Sequence, residues 1–343
     1  MLKPQPLGTS GQLDSLLLLR GIAVILVCLC HFGDNLSEGH AFAELFYIFY
    51  QYGKYGVHVF FVISGFIIPY SLYKSNYTIS SLPTFLAKRI LRLHPPYLAA
   101  LFLTLVIMFL SYKVRGLEFP ESFSSIAKSV VYLHIPPDNP VFWTLLVEAQ
   151  YYLFIGCFYV LLVHYQKLCI YAVMPLLLVI SYLFTSEDQS LVRYIVFFLI
   201  GNVCFLLYAK NDYFFLNLLS IGYLLVFTAL FYETAEFLFT SFTLLFILAF
   251  RQPISKLLLF PGQISYSIYL IHFPIGMKLI NLTKNKIDPS YSWLLLVVAL
   301  VVSLVTSYIF YILFEKYSER ASKKIRYKPV SRSYQSIQKE PTI

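Results

Sequence analysis

Leu16-Leu17-Leu18-Leu19-Arg20-Gly21-Ile22-Ala23-Val24-Ile25-Leu26-Val27-Cys28-Leu29-Cys30-His31-Phe32-Gly33 decides the fold. As a helix this stretch rises about 27 Å at 1.5 Å per residue, close to the ~30 Å hydrocarbon core of a bilayer. It has no basic flank before its apolar centre, so it reads as a retained span and not as a cleaved leader. Apolar runs of the same kind recur at roughly 55–73, 94–112, 142–163, 168–185, 191–208, 214–232, 235–250, 263–281 and 292–314. The eighth is short, and the break before it rests on Glu233 and Glu236.

Composition agrees with this pattern. Hydrophobic residues make up 59% of the 343 and charged residues 13%, with a mean hydropathy of +0.71. A water-facing surface takes about a quarter charged residues, which this chain cannot supply. The same numbers exclude a collagen, a disulfide scaffold, a disordered protein and a nucleic-acid reader. The five cysteines (Cys28, Cys30, Cys157, Cys169, Cys204) lie in apolar stretches without a CxxC, against a disulfide framework or a metal site. The expected fold is all-α: a polytopic transmembrane bundle of about ten spans in a lipid bilayer.

Ten spans put both termini on one side. Placing that side in the cytoplasm gives 18 inside Lys/Arg against 8 outside, as the positive-inside rule favours. Eight of the 18 follow Phe314. Residues 1–315 thus form the membrane domain, and 316–343 a basic, disordered tail facing anionic headgroups. Residues 113–141 are the longest interruption, with a short interfacial helix expected between Phe119 and His134.

Ionisable groups inside spans are costly and are functional candidates by default. Arg20 and His31 share the first span, 11 residues apart, which is ~16 Å of rise and three turns plus about 20°, so both lie on one helix face. Arg20 also reads as a snorkelling anchor, and His31 as a polar cap of the span's outer end. Arg89 and Arg92 form an RxxR pair on one face of the third span. Ordinary basic flanking explains such a pair, and so does an anion clamp, because each guanidinium is a fork matched to phosphate oxygens. Arg20, Arg89 and Arg92 all fall at cytoplasmic span ends, where they can converge on one polyphosphate.

Glu148 lies about two turns into the fourth span, at a depth where it can meet His31. Ser64 and Gly65 are small residues in an aromatic helix, which reads first as close packing. Ser265, Tyr269 and His272 share a stripe at i, i+4, i+7 spacing, and Tyr266 lies beside it. The stripe is either a set of helix–helix hydrogen bonds or the wall of an aqueous substrate cavity.

Five segments, in order, resemble the acyltransferase-3 family of integral-membrane acyltransferases, the group with O-antigen acetylases. Arg20 through His31 is similar to the family's Arg-x10-His first helix. Gly56 to Ile68 is similar to its GVxxFFxxSGF stretch. Arg89 and Arg92 followed by Pro95-Pro96-Tyr97 is similar to its RxxR and Pro-Tyr segment. Trp143-Thr144-Leu145 with Glu148, Gln150 and Tyr152 is similar to WSLxxExxxY, and Ile264 to His272 to SYxxYLxH. The chain departs from the family at His58, where Asp is frequent, at His94, where an apolar residue is usual, and at Lys316-Tyr317, which replaces the Arg-Pro after a last-helix Glu. For that reason the correspondence of Glu315 is left aside.

The resemblance implies transfer of an acyl group, usually acetyl from acetyl-CoA as donor, to a hydroxyl of a glycan or lipid-linked sugar outside the cytoplasm, by a multi-pass protein of the inner membrane and without a metal. In that reading Arg20, Arg89 and Arg92 hold the CoA phosphates and His31 is general base, oriented by Glu148. Direct attack and an acyl-His relay both fit. Ser64, Ser265, Tyr266, Tyr269 and His272 line the substrate cavity. A transporter or flippase without acyl chemistry also explains intramembrane Arg, His and Glu.

Overall fold

The computed structural model describes residues 10–37, 42–184, 189–210, 213–250 and 252–327. Lys3, Arg251, Lys328, Arg332 and Lys339, which belong to the 18 inside Lys/Arg counted above, lie outside the described residues. The described chain is helical. In order, α1 is Ser10–Asp34, α2 Ala43–Gly53, α3 Gly56–Lys74, α4 Leu82–Val114, α5 Phe123–Val130, α6 Trp143–His164, α7 Met174–Leu183 and α8 Leu191–Ala209. Then come α9 Phe214–Phe231, α10 Thr234–Ala249, α11 Lys256–Gln263, α12 Ser265–His272, α13 Lys278–Thr283, α14 Ser292–Phe310 and α15 Lys316–Lys324.

Among the described residues, eight helical segments are long and apolar enough to cross a membrane. Two of the ten expected spans fall short of that measure. One is α10, apolar but only 16 residues long. The other is the run from α11 to α13, broken between Gln263 and Ser265 and again by a π-helical turn over Phe273–Met277.

Helices α1, α3 and α8 make the centre. Leu19, Ala23, Val24 and Phe32 of α1 are buried, and every residue from Tyr194 to Leu206 of α8 is buried. Glycine sets how closely these helices approach. A Cβ on Gly201 would lie 2.3 Å from the Val62 carbonyl oxygen, and one on Gly65 would lie 2.3 Å from that of Phe198. The small residues of the second-span motif therefore serve packing, and Ser64 stands half-buried beside that crossing. Gly262 does the same where α11 meets α1, with the Leu17 carbonyl oxygen 1.8 Å from where its Cβ would be.

Two expectations change. The connection after α4 does not lie flat at the interface. Its helix is the shorter α5, and the chain then folds back along α4: Tyr97 donates to the Ser129 carbonyl at 2.6 Å, and His94 Nδ1 lies 3.0 Å from the Tyr132 hydroxyl. Non-helical backbone at such depth is tolerated when it is buried in protein; here the Tyr97 and Tyr132 rings pack 4.4 Å apart. The basic segment after residue 315 begins as α15 and not as a disordered tail. Ser322 donates to the Lys88 carbonyl at 2.9 Å, and Lys88 donates to that of Ile325 at 3.0 Å. These contacts dock α15 on the start of α4.

Gly201→Ala is expected to cost about 1–3 kcal/mol, as overpacking usually does, and so to lower the thermal unfolding midpoint in detergent. Gly222→Ala is the control, because a Cβ there meets nothing within 4 Å. Equal midpoints for the two variants would contradict the close α3–α8 approach.

Candidate active site

Two groups of polar side chains inside the bundle are joined by α1. The first surrounds Arg20. Its Nε and Nη2 donate to Ser265 Oγ at 3.1 and 2.9 Å, which pins α1 to the start of α12. Arg92, Glu315 and Glu148 are its charged neighbours. Arg89 sits over the rings of Phe85 and Tyr152, 5.5 and 5.3 Å from their centroids, with Arg92 and Glu148 in electrostatic reach. The structure thus brings together the three arginines that the sequence placed at the cytoplasmic ends of two spans.

Glu315, whose correspondence to a last-helix Glu was left aside above, also belongs to this group. It is buried and accepts from Ser267 N at 3.1 Å and Ser267 Oγ at 2.5 Å, while facing Arg20 and Arg92. It sits in a π-helical turn over Tyr311–Glu315, a local widening of the helix that is frequent at functional sites. The signal was an acidic residue closing an apolar run. It reads as the span's polar boundary until the partner helices are known. Tyr132 also enters unexpectedly, carried in by the fold-back to the neighbourhood of Glu148 and Tyr266.

Glu148 belongs to this arginine group. Tyr152, one turn on, donates to its carboxylate, and Arg20 and Arg89 are its cationic neighbours. The expected meeting of Glu148 with His31 is not what the fold produces: the side chain beside His31 is His272. Three guanidinia against two carboxylates leave the group with a net positive charge.

The second group lies further along α1. The His31 and His272 rings are 5.5 Å apart between centroids, tilted by 33°, and the Phe273 ring stands edge-on to His31 at 5.2 Å. His272 Nδ1 is 3.0 Å from the Ile268 carbonyl and 2.8 Å from that of Tyr269. A carbonyl only accepts, so Nδ1 carries the proton, and the neutral ring keeps its lone pair on Nε2. That Nε2 is buried without a hydrogen-bond partner. His272 is fully buried, whereas His31 is partly exposed.

The rest of the stripe holds α12 in place. Tyr266 donates to the Leu93 carbonyl at 2.8 Å, in the turn of α4 next to Pro95-Pro96. Tyr269 donates to the Val141 carbonyl at 2.7 Å, and its oxygen lies 2.6 Å from Thr144 Oγ1. Ser64 belongs to neither group. His58 lies 3.0 Å from Glu236 Oε1 of α10, so a carboxylate from another helix stands beside it.

A family model described as an acyltransferase domain matches residues 13–312. No curated protein and no solved structure matches the chain.

Glu315→Ala is expected to destabilise the protein by about 3–5 kcal/mol, because it leaves buried guanidinia short of a counter-charge. Glu319→Ala removes only the half-exposed α15 pair with Lys323 and should cost less than about 1 kcal/mol. Thermal unfolding in detergent compares the two, and similar midpoints would show that the arginines do not depend on Glu315.

Proposed function

The chain belongs to the acyltransferase-3 family, whose model spans residues 13–312, and on that premise we propose that this multi-pass membrane protein is an O-acyltransferase. It takes acetyl from acetyl-CoA at the arginine end and delivers it to a hydroxyl of a glycan or lipid-linked sugar at the opposite face. Its place is the cytoplasmic (inner) membrane, with the arginine end towards the cytoplasm.

The observation that carries this reading is the imidazole pair at the far end of α1 from the arginines. Arg20 and His31 are ~16 Å apart along one helix face, a span that suits an extended donor with phosphates at one end and a thioester at the other. Arg20, Arg89 and Arg92 are suited to phosphate oxygens by their forked donors, and the group's net positive charge leaves room for an anion. Glu148 and Glu315 offset two of the three positive charges when no donor is bound.

At the other end, His31 takes the proton of the acceptor hydroxyl. The oxygen attacks the thioester carbonyl carbon, the carbon–sulfur bond breaks, and the CoA thiolate leaves and recovers a proton. An imidazole suits this role because its ordinary pKa of about 6.5 lies near neutral pH. His272 is the positioning residue for His31, in place of Glu148. Its proton is committed to two backbone carbonyls, so its free Nε2 is available as an acceptor for the charged form of its neighbour. The break after His272 lets α12 present this ring while its tyrosines hold the helix to α4 and α6.

His31→Gln is expected to lower transfer by about 10²–10⁴-fold, the usual worth of a general base, with affinity for acetyl-CoA retained. Arg89→Ala or Arg92→Ala should weaken donor binding roughly 10- to 150-fold, each removing a charge-assisted contact of about 1.5–3 kcal/mol. Lysine at either place should restore only part of it. Transfer of labelled acetyl and direct donor binding by purified protein separate the two effects. Substantial turnover by well-folded His31→Gln would move the base to His272.

A further inference from the structure

A groove of about 330 Å³ opens between the far end of α4 and the π turn that follows His272. Ser111 and Arg115 line it from α4, Asp138 from the fold-back connection, and Lys278 and Asn281 from α13, with Phe273 among its walls. It lies at the opposite end of α4 from Arg89 and Arg92, some twenty residues or about 30 Å of helix rise away. No role proposed so far uses it.

Phe273 belongs to this groove and also stands edge-on to His31 at 5.2 Å. One aromatic ring therefore separates the groove from the imidazole pair. Thr104, also in the groove wall, accepts from Asn139 Nδ2 at 3.1 Å, and the same amide donates to the Leu270 carbonyl at 3.2 Å. Asn139 is fully buried, and its Oδ1 has no partner. Beneath the groove, then, lie two buried acceptors without donors, Asn139 Oδ1 and His272 Nε2.

The groove's polar chemistry is specific. Lys278 Nζ and Asp138 Oδ2 are 3.4 Å apart, and both side chains are about a quarter exposed (23% and 26%). A tight charge-assisted hydrogen bond is about 2.7–2.9 Å, so this pair is loose, and each member keeps capacity for a ligand. A carboxylate beside an ammonium presents an acceptor and a donor a few ångströms apart. Two neighbouring hydroxyls on a sugar ring match that pair, whereas a lone hydroxyl fills only half of it. The volume is at the small end of the ~300–1,000 Å³ range of ligand pockets, which admits a single ring of a larger molecule. Arg115 and Lys278 against Asp138 give the groove a positive balance, which suits a neutral or anionic sugar and not a cationic amine.

We propose that this groove is the acceptor site: it takes one sugar ring through vicinal hydroxyls at Asp138 and Lys278, and Phe273 stands between it and His31 until its side chain turns aside to let a hydroxyl reach the base. The proposal rests on the acyl-transfer reading for its purpose, but its two physical claims are measurable without turnover. The full-length protein is placed in sealed vesicles with the groove face outward. Asn281→Cys is labelled by a membrane-impermeant thiosulfonate. The native cysteines give the background, four of them buried and Cys157 exposed on α6. Methyl glucoside, galactoside and mannoside are added in turn, with cyclohexanol as the single-hydroxyl control.

At ten times its dissociation constant, a bound glycoside slows labelling about tenfold by mass action. At least one glycoside is expected to do so, cyclohexanol is not, and Asp138→Asn should remove the protection. Protection by none of the three, or equal protection by cyclohexanol, overturns the acceptor assignment. For the divider, His31→Cys should label slowly with Phe273 in place and several-fold faster with Phe273→Ala, and Phe273→Val reports the same change if the alanine variant does not fold. Equal rates overturn it. Acetyl-CoA turnover by wild type is scored separately, so loss of the acyl-transfer reading and loss of the groove are distinguishable.

Discussion

Three guanidinia inside a membrane bundle are the constraint that the rest of this structure answers. An arginine at the centre of a spanning helix costs about 2.5–3.5 kcal/mol on insertion scales. Three of them uncompensated would cost at most about 9 kcal/mol, less towards the span ends where they lie, against a whole-domain stability of about 5–15 kcal/mol. The protein meets that cost with partners from four different helices and turns. Ser265 accepts twice from Arg20, Glu148 and Glu315 supply negative charge, and Phe85 and Tyr152 cover Arg89. Because the partners come from α6, α12 and the turn before α15, assembling the arginine group fixes how those elements meet α1 and α4.

That assembly also aligns the imidazoles. Arg20 ties α1 to the start of α12, and both helices then run towards the same face. His31 on one and His272 on the other arrive side by side. The π turn after His272 ends the regular helix where Phe273 must face both His31 and the groove. Gly276 allows the turn its place, since a Cβ there would lie 2.3 Å from both Phe32 and Ser303 Oγ. Arginine group, imidazole pair and groove thus follow one another along α1, α12 and the π turn after it.

Much of this was legible in the sequence, because helical periodicity and membrane cost act locally. The all-α polytopic class followed from apolar run lengths, and the shared face of Arg20 and His31 from 11 residues at 3.6 per turn. Periodicity says which residues share a face, but not which helix that face meets. Hence Glu148 was paired in expectation with His31, whereas the fold gives it to Arg20 and Arg89. Glu315, left aside because Lys316-Tyr317 departs from the family's pattern, proves to be a counter-charge. His272 stood out only as one of a polar stripe. The fold-back that brings Tyr132 inward was the least legible, since a Pro-rich connection between two spans reads as outside. The π turns left no mark beyond Pro274 directly after His272 and Phe273.

By the proposal above, one chain carries acetyl from the arginine end to the imidazole end. The most direct test is sidedness in sealed vesicles of purified protein, with acetyl-labelled acetyl-CoA added only at the arginine face. The account predicts labelled acetyl in the opposite compartment, as ester on an enclosed glycan or as acetate released to water, while CoA thiol accumulates where the donor was added. Label appearing only on the donor side, or intact acetyl-CoA crossing without thiol release, would contradict it.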